Sequence, residues 1–174
     1  MKFMQYIVLM VPTNKANQGL INLELPTEMR NAKSAGLHLL AVSEVIDLIN
    51  SEDAYAIEQA SKQTTAVSKL VEAGIQAISS GGSVHYFGAG TSGRLATQDA
   101  AELYPTFHSL AGVVVAHMAG GQAALLTSVE NAEDDVEAGR TGAMALGAGD
   151  LAIGLAASGR TPYVGGALEQ ARSN

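Results

Sequence analysis

Two glycine-rich turns that carry hydroxyl side chains are the residues of this chain best suited to chemistry. The first is F-G-A-G-T-S-G-R at residues 87–94, and the second is A-A-S-G-R-T-P at 156–162. Each follows a short apolar run and contains Ser-Gly-Arg. A strand feeding such a turn exposes backbone N–H groups that can wrap an oxyanion. Glycine there lets the chain adopt positive φ and lets a ligand approach the backbone. The candidate phosphate ligands are Gly90, Thr91, Ser92 and Gly93 in the first turn. Ser158, Gly159 and Thr161 form a second wall at the start of a helix opened by Pro162. Arg94 and Arg160 either neutralise the bound charge or pair with carboxylates. The plain alternative is that both are ordinary turns required by the fold.

Carboxylates are the next candidates. Glu102 lies in D-A-A-E-L-Y-P-T-F (99–107), while Glu130, Glu133, Asp134 and Asp135 cluster in V-E-N-A-E-D-D (129–135). Two such groups in a water-poor pocket can act as general acid and base once burial tunes them. The opposing consideration is that most acidic side chains simply face solvent. The histidines (His38, His85, His108 and His117) show no metal-ligand spacing. His85 is expected to be packed or hydrogen-bonded within a strand, and His108 and His117 to fall near loops at the second strand. No G-x-S-x-G elbow is present, which disfavours a hydrolase nucleophile. The run Gly88-Ala89-Gly90-Thr91-Ser92-Gly93 also fits a dinucleotide fingerprint. However, V-A-H-M-A-G, at the end of the next strand, lacks the acid that would bind a ribose hydroxyl.

The elements that must position these residues follow from patterning. Residues 34–50 read as a helix. Ser51 reads as the N-cap of a long amphipathic helix running through Ile57, Ala60, Val67, Val71, Gly74 and Ile78 and ending at Gly81-Gly82. Strands are expected at Val84–Phe87, Gly112–Ala116 and Leu151–Leu155. A short helix begins near Ser92 and breaks before Pro105. Further helices are expected at 122–130 and 135–146, and a last one has Thr161 as N-cap and Pro162 at N1. Apolar strands alternating with helices imply an α/β fold with a parallel sheet covered on both faces. Three strands are fewer than a doubly wound domain usually has, so the chain is expected to be C-terminally incomplete.

Bulk properties narrow the function classes. A chain of 174 residues can bury a real core, and a net charge of −7 gives no basic face for nucleic acid. The absence of cysteine removes disulfides, thiolate metal sites and thiol catalysis. No apolar run reaches the ~20 residues needed to cross a bilayer. The N-terminal M-K-F-M-Q-Y-I-V-L-M-V-P is interrupted by Gln5 and lacks a small-residue cleavage site. It reads as an extension rather than a signal peptide. Residues 1–33 are accordingly expected to be extension and loop, and 34–174 to be N-terminal helices plus an incomplete sheet domain.

Six segments in order carry a resemblance: L-P-T-E-M-R-N, L-I-N-S-E-D, F-G-A-G-T-S-G-R-L, D-A-A-E-L-Y-P-T-F, V-E-N-A-E-D-D and A-A-S-G-R-T-P-Y-V. Over about residues 25–174 the chain resembles the N-acetylmuramic acid 6-phosphate etherases of the sugar isomerase (SIS) superfamily, which also includes the glucokinase regulatory protein. The resemblance implies a three-layer αβα fold of flavodoxin-like type, preceded by N-terminal helices. It implies cleavage of the D-lactyl ether of N-acetylmuramic acid 6-phosphate by elimination and hydration, with no metal or organic cofactor. It places the family's acid/base glutamates on Glu102, as proton donor, and Glu133. It also strengthens the assignment of Thr91, Ser92, Ser158 and Thr161 to a phosphate site, together with Gly159 and Arg160. A cytoplasmic homodimer acting on a small phosphorylated amino sugar, without nucleic acid or membrane partners, is the matching expectation.

The chain departs from the family pattern at D-A-A-E-L-Y-P-T, where members read D-A-S-E-C-P-P-T. It departs again at Asn131, which stands where members have glycine. The alternatives to an etherase are a sugar-phosphate-binding SIS module without chemistry, a phosphosugar isomerase, and an inert fragment whose third strand has an open apolar edge.

Overall fold

A computed structural model describes residues 29–108 and 111–174. The extension up to residue 28, including the loop expected around Pro26, lies outside the described residues. The elements run α1 (Val42–Ser61), α2 (Thr64–Ser79), β1 (Val84–Gly88), α3 (Gly90–Phe107) and β2 (Val114–Met118). They continue with α4 (Ala123–Leu126), α5 (Val136–Ala143), β3 (Leu151–Leu155) and α6 (Pro162–Ser173). The chain divides into two compact units, with the boundary between Lys69 and Leu70. No helix among the described residues is long and apolar enough to cross a membrane.

In the first unit, two 3-10 turns (Ala32–Ser34 and Leu37–Leu39) precede α1. Lys33 Nζ meets Glu52 Oε1 at 2.7 Å, tying the first turn to the helix. The helices expected at 34–50 and from Ser51 onward are corrected here. Helix α1 starts at Val42, where the Glu44 carboxylate accepts a hydrogen bond from Ala41 N–H at 2.7 Å. An acid reaching back from the first turn satisfies an orphan donor. Ser51 is then interior to α1, and its hydroxyl bonds the Leu48 carbonyl at 2.8 Å. The long helix also breaks, at Lys62–Gln63, before α2 begins.

In the second unit the sheet is parallel, in the order β2-β1-β3. The register sets Val84 beside Val114 and Leu151, and Phe87 beside His117 and Gly154. Strand alternation divides the side chains between two faces. Val84 and Leu151 pack with Ala73 and Ala77 of α2. On the other face Phe87, the largest fully buried side chain, packs with Ala143, Ala152, Tyr163, Val164 and Ala167. Burying a ring of that size stabilises the fold by about 2–3 kcal/mol. Helices on both faces of a parallel sheet make the three-layer αβα arrangement that the pattern implied.

Small residues set the spacing between layers. A Cβ on Gly139 would strike the Tyr163 carbonyl, and one on Gly166 would strike the Val136 carbonyl, so α5 and α6 touch backbone to backbone. Asp135 caps α5 by accepting from Ala138 N–H at 2.8 Å. Several boundaries differ from the pattern: β1 ends at Gly88 rather than Phe87, β2 at Met118 rather than Ala116, and the helices expected at 122–130 and 135–146 shorten to α4 and α5. Strand β2 begins at Val114 rather than Gly112, because Gly112 holds φ 85°, which a strand cannot use. Helix α3 runs through Pro105 to Phe107. The proline lies in its last turn, where the helix needs only a short continuation, which His108 (φ 53°) ends by donating to the Tyr104 carbonyl at 2.9 Å.

Candidate functional site

Sheet order marks out the crevice where open α/β sheets usually bind ligands. β1 is central. The chain leaves it through α3 for β2 on one side, and β3 lies on the other side. The crevice at the carboxyl ends of β1 and β3 is therefore a topological switch point, the usual ligand site of open α/β sheets. The two hydroxyl-bearing turns are the ones that leave these strands. Gly88 and Leu155, the last residues of β1 and β3, are partners in the register.

The first turn is shaped by its three glycines, each for a different reason. A Cβ on Gly93 would lie 2.7 Å from the Gly88 carbonyl oxygen, and one on Gly88 would lie 2.8 Å from Gly93 N. The start of α3 thus sits directly on the end of β1. Gly90 instead holds φ 55° with open space where a Cβ would be, leaving room above the backbone for a ligand. The amides of Gly90, Thr91 and Ser92 make no backbone hydrogen bond, whereas Gly93 donates to the Ala89 carbonyl at 3.3 Å. These are the orphan donors of a helix start, at its positive end.

The second turn repeats the arrangement. Gly159 holds φ 69°, and Thr161 occupies the N-cap of α6 with Pro162 following. The Thr161 hydroxyl makes no capping hydrogen bond. Ser158 and Thr161 are half-buried. Arg160 is exposed and has a partner of its own. Arg94 Nε donates to the Leu125 carbonyl at 3.3 Å, fastening α3 to α4.

The carboxylates separate into different roles. Asp135 is a helix cap, and Glu130 accepts from the Ser128 hydroxyl at 3.1 Å. Glu133 is exposed in a 3-10 turn (Ala132–Asp134) that follows β2. Ala132 of that turn lies against Gly120, so Glu133 sits at the same end of the sheet as the two turns. Glu102 is exposed ten residues along α3 from Ser92, roughly 15 Å of helix rise away from the crevice. Neither glutamate is in a water-poor pocket within this chain, and no hydrogen bond joins them.

Asn131, at the head of the Glu133 turn, has φ 62°. Asparagine is among the few residues other than glycine that tolerate this left-handed conformation, so it can keep a backbone that glycine would adopt. Asn131→Gly should therefore leave stability within about 0.5 kcal/mol of the parent, whereas Asn131→Val should cost more than about 1 kcal/mol. Urea denaturation of the three proteins checks this.

Two contacts were not legible in the sequence. The Tyr86 phenol is influenced by the Asp99 carboxylate of α3. Burial first, and that carboxylate second, push the phenol up to about 12. His85 and His117 meet across β1 and β2, with Nδ1 and Nε2 2.9 Å apart. His117 thus lies within β2 rather than in a loop. A tyrosine facing a helix that carries an aspartate is a faint signal for the first contact, but only the strand register reveals the second.

The chain matches the family model described as glucokinase regulatory protein N-terminal SIS domain over residues 66–172. It is 50% identical over 147 residues to an N-acetylmuramic acid 6-phosphate etherase of Thermobifida fusca (strain YX), covering 84% of this chain and 48% of that protein. It is 45% identical over 154 residues to N-acetylmuramic acid 6-phosphate etherase 2 of Enterococcus faecalis (strain ATCC 700802 / V583), covering 87% and 52%. Against the N-acetylmuramic acid 6-phosphate etherase of Serratia proteamaculans (strain 568), identity is 45% over 150 residues, covering 85% and 50%. The chain spans about half the length of the curated relatives it matches.

Proposed function

We propose, from the premise that this chain belongs to the family of the glucokinase regulatory protein N-terminal SIS domain, that it binds a phosphorylated amino sugar and acts on it as a lyase. The substrate would be N-acetylmuramic acid 6-phosphate, and the products N-acetylglucosamine 6-phosphate and D-lactate. The observation that carries the reading is the pair of hydroxyl-bearing turns at the switch point. There, the uncommitted amides of Gly90, Thr91 and Ser92 follow one of two paired strands, and Ser158 and Thr161 follow the other. Two helix N-termini and neutral hydroxyls suit a phosphate dianion without requiring a basic patch.

With the phosphate anchored, the reactive end of the ring-opened sugar extends from the crevice. A carboxylate base removes the C2 proton, lactate leaves C3 as a carboxylic acid group protonates its oxygen, and water then adds across the double bond. Glu133 is placed at the crevice end of the sheet. Glu102 is offset along α3, so we assign its approach to a second copy of the chain, making the working unit a homodimer. Leu95, Tyr104 and Phe107, exposed on the same helix, support a docking face there. The reading puts the protein in the cytoplasm, in the recycling of cell-wall sugars, with residues 34–174 forming one SIS module and its leading helices.

A second reading, phosphosugar binding without chemistry, is favoured by the exposure of both glutamates. D-lactate release from N-acetylmuramic acid 6-phosphate by the 174-residue chain decides between them. The lyase reading expects release in proportion to enzyme. Binding of the phosphosugar with no lactate would overturn it in favour of the second reading.

A further inference from the structure

The face of the sheet covered by α5 and α6 holds a polar pair that the proposed chemistry does not use. His85 and His117 lie on adjacent strands, their ring centroids 5.2 Å apart. His117 stacks on Phe87 at 4.5 Å, against the one fully buried large side chain of the core. The 2.9 Å between His85 Nδ1 and His117 Nε2 is a hydrogen bond and requires one proton between the two nitrogens.

The charged and titratable groups around the pair are few. Asp150, just before β3, brings its Oδ2 to 3.9 Å from His85 Nε2. That carboxylate is held in place, since Oδ1 accepts from Ser83 N–H at 2.7 Å and Oδ2 from Gly147 N–H at 2.8 Å. On α6 the Tyr163 hydroxyl lies 3.6 Å, and on β2 His117 Nδ1 lies 4.0 Å, from the point where a Gly142 Cβ would stand. Arg140, the cation of α5, is engaged by Glu137 and Glu169. The Asp150 carboxylate favours the proton on His85 Nε2, which leaves His85 Nδ1 to accept from His117 Nε2–H.

We propose that the His85–His117 pair is an acid-sensitive latch between β1 and β2. Neutral, or carrying one extra proton at His117 Nδ1, the pair keeps its hydrogen bond. With both imidazoles charged, two N–H groups face each other at hydrogen-bonding distance and the rings must part. Parting them disturbs Phe87 and the α5–α6 layer stacked on it. It also disturbs the ends of β1 and β2, which carry the first hydroxyl turn and the Glu133 turn.

Burial lowers the affinity of both rings for a proton. For His85 the Asp150 carboxylate opposes this, and for His117 the neighbouring His85 adds to it. Because the folded-state values lie below the ordinary 6.5, the unfolded chain binds more protons as pH falls beneath that value. The latch's contribution is complete above pH 6.5 and declines as pH drops through the lowered range.

The test is thermal unfolding of the 174-residue chain from pH 7.5 to 5.5, beside the double variant His85→Leu/His117→Leu, with imidazole ¹⁵N–¹H correlation spectra of the parent. The parent Tm should fall by about 5 °C more than that of the variant across this range. Over the same range the spectrum should lose the N–H correlation of the ring–ring hydrogen bond. If the leucine variant does not fold, His117→Gln takes its place, since a neutral amide can hydrogen-bond without titrating, and it should flatten the profile in part, because His85 still titrates. Parallel pH profiles for parent and variant, or a ring–ring correlation unchanged at pH 5.5, would overturn the proposal.

Discussion

Glu102→Gln should reduce D-lactate release from N-acetylmuramic acid 6-phosphate by about a thousand-fold while leaving phosphosugar affinity within a factor of about three. The amide keeps the shape and polarity of the side chain but cannot deliver a proton to the departing lactate oxygen. Binding should survive because the proposed phosphate site lies at the starts of α3 and α6, not at residue 102, which lies three turns along the helix. The same offset makes a second prediction of the dimeric reading available. Mixing Glu102→Gln with a variant crippled in the cradle, such as Ser92→Ala/Thr161→Val, should restore part of the activity, because mixed dimers then contain one intact composite site. Full activity in Glu102→Gln alone would remove the residue from the mechanism.

Gly93→Ala should be far more damaging than a methyl at Gly90 in the same turn. The new Cβ would lie 2.7 Å from the Gly88 carbonyl oxygen and 3.0 Å from both the Gly88 carbonyl carbon and Met118 Cγ. Two of these three atoms are backbone, and they belong to the central strand, so the clash is relieved only by lifting α3 off β1. Overpacking of this kind costs about 3 kcal/mol, a fall in Tm of roughly 10 °C for a domain of this size. Gly90→Ala is the informative control. Nothing occupies the space there, and the penalty is only that of a left-handed backbone, about 1 kcal/mol. Its effect should instead fall on phosphate binding, because the methyl projects where the ligand approaches. A Tm for Gly93→Ala within 2 °C of the parent would refute the close-packed reading of the turn.

What the sequence disclosed of this fold depended on how local the determining contacts are. β3 was legible to the residue because L-A-I-G-L is a continuous apolar run bounded by Gly-Asp and by a Ser-Gly turn. The two hydroxyl turns were legible for the same reason, and the sheet order then placed them side by side. The start of α1 was not legible. Ser51 is a good local cap, but Glu44 reaching back to Ala41 starts the helix ten residues earlier, and no rule of propensity ranks those two choices. Pro105 was read as a helix stop because its cost in a helix interior is large, but it falls in the last turn, where little remains to be broken. The His85–His117 contact depends on which residue of β2 stands opposite Phe87, a register fixed by the packing of whole strands. The glutamates were recognisable as chemical groups, but their exposure and separation were not, because those depend on how far along α3 and past β2 each one falls.

The central claim is that the turns after β1 and β3 form a single phosphate site. Amide chemical-shift mapping with N-acetylglucosamine 6-phosphate, alongside N-acetylglucosamine, tests it directly. The amides of Gly90–Gly93 and of Ser158–Thr161 should shift together along one binding curve, and only with the phosphorylated sugar. Shifts confined to one turn, or equal shifts with the sugar lacking phosphate, would contradict it.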